Sequence, residues 1–207
     1  MSGYFNPNEE AVRPGLYLRF EELAKMQLKK EGTGVVGIPL KTFTGTAVAN
    51  KVYHVEKIED AKVLFGDANV KSIEFALENA AKVIVYTVEA HIDPATEMAA
   101  FDKVRVAFDT EFINAFSYDG VVSAVEQDRA IRWLDEAKKE GREFTVVFGA
   151  PDVLEDADPA LGDARSLRLK HTDAVNVING LKIDGVDYAS YDIAPLIAGL
   201  VAATPMN

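Results

Sequence analysis

At 207 residues, with 48% hydrophobic and 27% charged side chains, the chain has the composition of one soluble α/β-sized domain or two small ones, enough to bury roughly 70% of its unfolded surface and to exclude wholesale disorder. Its formal charge of -11 sets repulsion against any broad contact with nucleic-acid phosphates or anionic lipid. The lack of cysteine removes disulfide frameworks, thiolate nucleophiles and thiolate-held zinc together. No basic-then-apolar leader opens the sequence, and no apolar run approaches the ~18 residues that span a bilayer. Folding in a cytoplasm, without membrane insertion, is expected.

Residues 1–20, MSGYFNPNEEAVRPGLYLRF, form a polar tail punctuated by Pro and Gly. Its end alternates like a strand: Leu16, Leu18 and Phe20 fall on one side of an extended chain, Tyr17 and Arg19 on the other. No partner strand follows nearby, so the backbone groups of this arm must be satisfied far along the same chain or on another molecule. In the first case Arg13, Pro14 and Gly15 are an ordinary turn. In the second, Pro14 and Gly15 form the bend where the arm leaves the body.

Segment 21–31 reads as a short helix or a charged linker, ended by Gly32. VVGIPL at 35–40 reads as a buried strand, followed by the turn-rich KTFTGTAVAN and a strand near 51–55. Helical spacing returns in IEDAKVLFG, with Gly66 suited to the position just past the helix end. A second helix near 68–81 places Ile73, Ala76, Leu77 and Ala80 on one face before the β-favouring KVIVYTV. Asp93 and Pro94 have N-cap and N1 chemistry and open a helix toward Phe108 through Met98, Phe101 and Arg105.

FINAFSY at 112–118 is a candidate strand. The clearest helix runs over 120–139, with Val122, Val125, Ile131, Trp133, Leu134 and Ala137 apolar and Gly141 closing it. FTVVFG at 144–149 follows as a buried strand, then an acidic loop, PDVLEDADPALGD, and a short helix over 166–170. The Asn179-Gly180 pair between 175–178 and 181–183 predicts a tight hairpin. It leads into an apolar helix, DIAPLIAGLVAATP, ended by Pro205. The alternation of helix and strand predicts a mixed α/β (α+β) fold with a mixed sheet flanked by helices. Arm 1–20, an N-terminal α/β part 21–92 and a core part 93–207 are the expected divisions.

Signals for chemistry are sparse. Gly32, Gly34 and Gly37 spell G-x-G-x-x-G with Glu56 about twenty residues on, but a dinucleotide fingerprint needs a strand before the glycines and a helix after them. Here a strand containing Pro39 follows, so turn and strand-packing roles are expected. Asp152, Glu155, Asp156, Asp158 and Asp163 cluster in one loop without EF-hand spacing, as a solvated acidic loop would. His54, His91 and His171 are far apart and belong to no ligand set. Asp109 and Glu111 could transfer protons in a closed site, although solvated carboxylates are the simpler reading. Trp133 sits on an apolar helical face and is expected in the core. Neither G-x-S-x-G nor a phosphate-cradling G-x-x-x-x-G-K-[ST] occurs.

Arg13, Pro14, Gly15 and Tyr17, the strands GVVGIPL and KVIVYTV, the unit WLDEAKKEGREFTVVFG and the ending VNVINGLKIDG...IAGLVAATPMN occur in one order. Together they resemble contractile-tail sheath proteins of bacteriophages and related phage-tail-like particles, most specifically at the two ends. The resemblance implies a structural subunit, not an enzyme, that stacks in helical rings around a tail tube and contracts to drive it through a target envelope. It implies self, tube, baseplate and terminator proteins as partners, a virion or tail-like particle as location, and no catalytic residue, cofactor or metal. Arg13, Pro14, Gly15, Leu16, Tyr17, Leu18 and Phe20 become inter-subunit residues that add a strand to a neighbour's sheet. Such a heterologous contact does not close and so builds an open filament. Two departures from the family's usual pattern stand out. A helical passage at 91–111 replaces a further β-rich domain, and the chain stops at Asn207 where the family continues. Two other readings stay open: a nucleotide- or small-molecule-binding enzyme domain using 32–37, and another tail or baseplate component.

Overall fold

Six strands share one sheet in the order β2-β3-β1-β4-β5-β6: β1 (Val35–Leu40), β2 (Val52–Val55), β3 (Lys82–Thr87), β4 (Ala115–Ser117), β5 (Thr145–Phe148) and β6 (Ala174–Asn176). All neighbours run parallel except β2 against β3, with Val36 opposite both Val83 and Ala115. This is a computed structural model, and it describes residues 34–89 and 94–204. The arm residues Arg13, Pro14, Gly15, Leu16, Tyr17, Leu18 and Phe20, segment 21–31, Gly32, His91 and the Asp93 cap lie outside the described residues.

Helices cover both faces, which is why the central strands read as continuous apolar runs rather than alternating ones. Alternation decides which face each side chain serves. Val36, Ile38, Leu40, Val83, Val85 and Val147 face α1 (Ile58–Phe65), α2 (Lys71–Leu77) and α7 (Ser190–Ala203). Ile84, Tyr86, Phe116, Val146 and Phe148 face α3 (Pro94–Phe108) and α4 (Ala124–Lys139). The second layer is aromatic: Phe116 packs edge-on to Phe108, Tyr118 and Trp133 at 5.0–5.3 Å between ring centroids. The first is mostly aliphatic, and its helices α2 and α7 approach closely. A Cβ at Gly199 of α7 would lie 2.5 Å from the Ala76 carbonyl oxygen of α2.

The expected strands at 35–40, 51–55, 82–88 and 144–149 and the helices at 58–66, 94–108 and near 190–203 are present, and Trp133 is in the core, 3% exposed. The helix expected near 68–81 splits into a 3-10 turn, Asp67–Asn69, and α2. Four details differ. The strand expected over 112–118 is only β4, and Phe112 is 74% exposed. The long helix begins at Ala124 rather than 120 because the Ser123 hydroxyl accepts the Glu126 N–H and caps it. Val125, one of the apolar positions read on that helix, is exposed. The acidic loop is largely helical, α5 (Val153–Ala157) and α6 (Pro159–Arg168), because Asp152 and Asp158 each cap a helix and Pro159 fills N1.

The hairpin is one turn later than expected. The segment before Asn179-Gly180 is β6, which pairs in parallel with β5, so it has no antiparallel partner to fold onto. The antiparallel pair is β7 (Leu181–Ile183) with β8 (Val186–Tyr188), joined by Asp184-Gly185. Both turn residues have positive φ, 50° and 84°, the geometry of a two-residue type I′ loop.

Candidate assembly surface

Strand edges are where a sheet offers unpaired backbone groups, and the two edges of the main sheet differ. At β6, Arg165 of α6 lies over the edge. Its side chain is 1% exposed and donates to Asn176 Oδ1 at 2.6 Å, to the Val177 carbonyl at 2.9 Å and to Glu155 at 2.9 Å. Asn176 in turn donates to the Gly162 carbonyl at 3.2 Å. That edge is blunted by side chains. At β2 the β3 ladder pairs Tyr53 with Val85 and Val55 with Val83, and the Thr87 N–H reaches the Lys51 carbonyl at 3.0 Å. Antiparallel alternation then turns the backbone groups of Val52 and His54 to the open side. Val52 and Tyr53 are half-buried and His54 is exposed, so among the described residues no strand covers this edge. The β7–β8 hairpin is a second, two-stranded sheet whose Leu181 and Val186 are about half exposed, 48% and 53%.

Residues that hinted at chemistry are engaged structurally. A Cβ at Gly34 would lie 2.0 Å from the Ala202 carbonyl oxygen, and one at Gly37 2.8 Å from the Phe108 ring. Gly34 and Gly37 are therefore close-packing glycines at and within β1, with strand rather than helix after them. Asp109 accepts from Trp133 Nε1 at 2.8 Å and pairs with Arg142 at 2.9 Å. Glu111 pairs with His54 at 3.4 Å, and His171 with Asp135 at 3.3 Å. Of the acidic cluster, Asp152 and Asp158 are caps and Glu155 pairs with Arg165. Among the described residues no group of acids and histidines could hold a metal ion, and no helix is long and apolar enough to cross a membrane.

Sequence reasoning missed a buried polar network between α3 and α4. Glu126, 1% exposed, takes hydrogen bonds on Oε1 from Arg105 and from the Tyr118 hydroxyl, the latter at 3.0 Å, while Oε2 has no hydrogen-bond partner. Burial pushes the Glu126 carboxyl up, against the pull of the Arg105 guanidinium, and the Tyr118 hydroxyl is pushed up by burial and by Glu126. The S-x-x-E of Ser123 and Glu126 carried a signal for the cap, but nothing local marked Glu126 as buried.

No sequence-family model and no curated protein matches the chain. Solved structures do. A sheath tail protein from Desulfitobacterium hafniense superposes with a TM-score of 0.63 at 14% identity, over 91% of this chain and 62% of its own. One from Listeria innocua gives 0.62 at 13% identity, over 83% of this chain and 57% of its own. The helical sheath of the anti-feeding prophage in its contracted state gives 0.51 at 14% identity, over 94% and 52%. The chain thus spans between half and two thirds of the length of these proteins. Over that length, its mixed sheet between two helical layers has the fold of tail sheath proteins.

Proposed function

We propose that this protein is a structural subunit of a contractile tail sheath, polymerising helically around a tail tube and contracting to drive the tube through a target envelope. The observation that carries the reading is the likeness of nearly the whole chain to sheath tail proteins, one of them within an assembled helical sheath. Baseplate, tube and terminator proteins are the partners this role requires, and a virion or tail-like particle is its location.

In this reading the arm residues Arg13, Pro14, Gly15, Leu16, Tyr17, Leu18 and Phe20 leave the body and add a strand beside β2 of a neighbouring copy. Strand addition uses main-chain hydrogen bonds and asks little of sequence. Because donor and acceptor surfaces are different, the contact repeats without closing. Contraction needs no nucleotide: an extended lattice held by a kinetic barrier releases energy as rigid subunits repack.

Negative-stain electron microscopy with sedimentation tests the role. The full chain forms tubes or rings, and the protein lacking residues 1–20 stays a folded monomer. Tubes formed as readily by the shortened protein would overturn the arm's part in assembly.

A further inference from the structure

Asparagine is a chemically labile residue, because the amide nitrogen of the residue after it can attack its side-chain carbonyl carbon. A fold suppresses that reaction by tying down the side chain or the following N–H. Most asparagines among the described residues are tied. Asn50 donates to Glu89 at 3.1 Å, Asn69 donates to the Phe65 carbonyl at 2.9 Å, and Asn114 accepts the Val35 N–H at 2.9 Å. Asn176 accepts from Arg165 at 2.6 Å, and after it the Val177 N–H donates to the Phe148 carbonyl at 2.8 Å. After Asn79 the Ala80 N–H donates to the Ala76 carbonyl at 3.0 Å.

Asn179 differs on every count. It and Gly180 are exposed and lie outside helix and strand, between β6 and β7. Neither the Asn179 side chain nor the Gly180 N–H makes a hydrogen bond among the described residues, so the nitrogen is left to water. Gly180 has no Cβ to crowd an approach to that nitrogen. Packing also requires glycine there: a Cβ would lie 2.2 Å from the Tyr188 carbonyl oxygen. The reactive dipeptide is thus a consequence of seating the β7–β8 hairpin closely.

We propose that Asn179 deamidates spontaneously in the folded protein, and that the isoaspartate so formed loosens the β7–β8 hairpin. Base takes the Gly180 amide proton, and the nitrogen's electron pair forms a bond to Asn179 Cγ. The bond from Cγ to the side-chain nitrogen breaks, and that nitrogen leaves as ammonia after taking up a proton. Water then opens the succinimide. Cleavage of the new bond to Cγ gives aspartate, whereas cleavage of the bond to the main-chain carbonyl carbon gives isoaspartate. No oxidant or reductant takes part. Both products add a unit of negative charge, but only isoaspartate routes the main chain through Cβ and lengthens it by a carbon. That carbon enters directly before Gly180 and shifts it against the Tyr188 carbonyl. Tyr188 carries the ring that packs edge-on to Phe75 at 5.2 Å, so the hairpin's contact with α2 slackens.

The full chain is incubated at mildly alkaline pH and digested with trypsin, which releases residues 171–182 as one peptide carrying both Asn176 and Asn179. The synthetic peptide of that sequence is the unfolded yardstick. Electron-transfer fragmentation locates the product and separates isoaspartate from aspartate. Asn179 in the folded chain converts within a few-fold of the synthetic peptide's rate while Asn176 stays intact, and Asn179→Gln yields no product. An Asn179 still intact in the folded chain once the synthetic peptide is mostly converted overturns the site. Hydrogen exchange over residues 181–188 tests the consequence. The aged protein exchanges there several-fold faster than the fresh protein, and Asn179→Asp, which has the charge without the longer main chain, exchanges like the parent. Equal exchange in aged and fresh protein, or an equal gain in Asn179→Asp, overturns loosening by the lengthened main chain.

Discussion

Two glycines in helices allow one chemical change to be made against two different walls. In α7, a Cβ on Gly199 would lie 2.5 Å from the Ala76 carbonyl oxygen and 3.3 Å from the Ala76 Cα, both backbone atoms of α2. In α6, a Cβ on Gly162 would lie 2.5 Å from Ile178 Cγ2, the branch methyl of a half-buried side chain rather than a backbone atom, which a turn about a stiff χ1 must move aside. Either Gly→Ala change gains about 1 kcal/mol of helix propensity. Overpacking costs about 1–3 kcal/mol where the neighbour cannot yield. Gly162→Ala is therefore within about 1 kcal/mol of the parent, whereas Gly199→Ala is up to about 2 kcal/mol less stable because α2 must move as a body. Urea unfolding at constant m reads the difference directly. In a chain of this size it corresponds to roughly 2–4 °C in Tm per kcal/mol. Gly199→Ala as stable as Gly162→Ala would refute the close approach of α2 and α7.

Arg165→Ala removes the donor to Asn176, the Val177 carbonyl and Glu155 from a site 1% exposed, at a cost of about 3–5 kcal/mol. Arg165→Lys restores little, since an ammonium cannot serve three acceptors with the guanidinium's fixed geometry; a loss below about 1 kcal/mol in urea melts would contradict this. Asp119 is predicted to show a pH signature. Burial raises its pKa in the folded state, so its contribution to stability is complete in acid and is lost as pH climbs through the raised value. Asp119→Asn removes that titration, and its stability relative to the parent rises as pH increases from about 4; a gap that does not change with pH contradicts the assignment.

What could be read from the sequence was what local rules decide. β1, β3 and β5 stood out because strands covered on both faces are apolar throughout, and Gly66 sits where α1 ends. The acidic stretch was misjudged because composition was weighed above position: Asp152 and Asp158 each stand where a helix begins, and Pro159 follows the second. The hairpin was misplaced because Asn179-Gly180 and Asp184-Gly185 carry the same local turn signal. What separates them is the parallel pairing of β6 with β5, a contact between distant segments.

Pairing of the arm with an adjacent copy can be trapped by engineered cysteines, since the chain has no cysteine of its own. One protein carries Leu18→Cys in the arm, a second carries His54→Cys on the open β2 edge, and the two are mixed and oxidised at assembly concentration. The expected product is a disulfide-linked mixed dimer that neither protein forms with itself. A double variant with both cysteines that closes the bond within a single chain at every dilution, with no mixed dimer from the separate proteins, would contradict it.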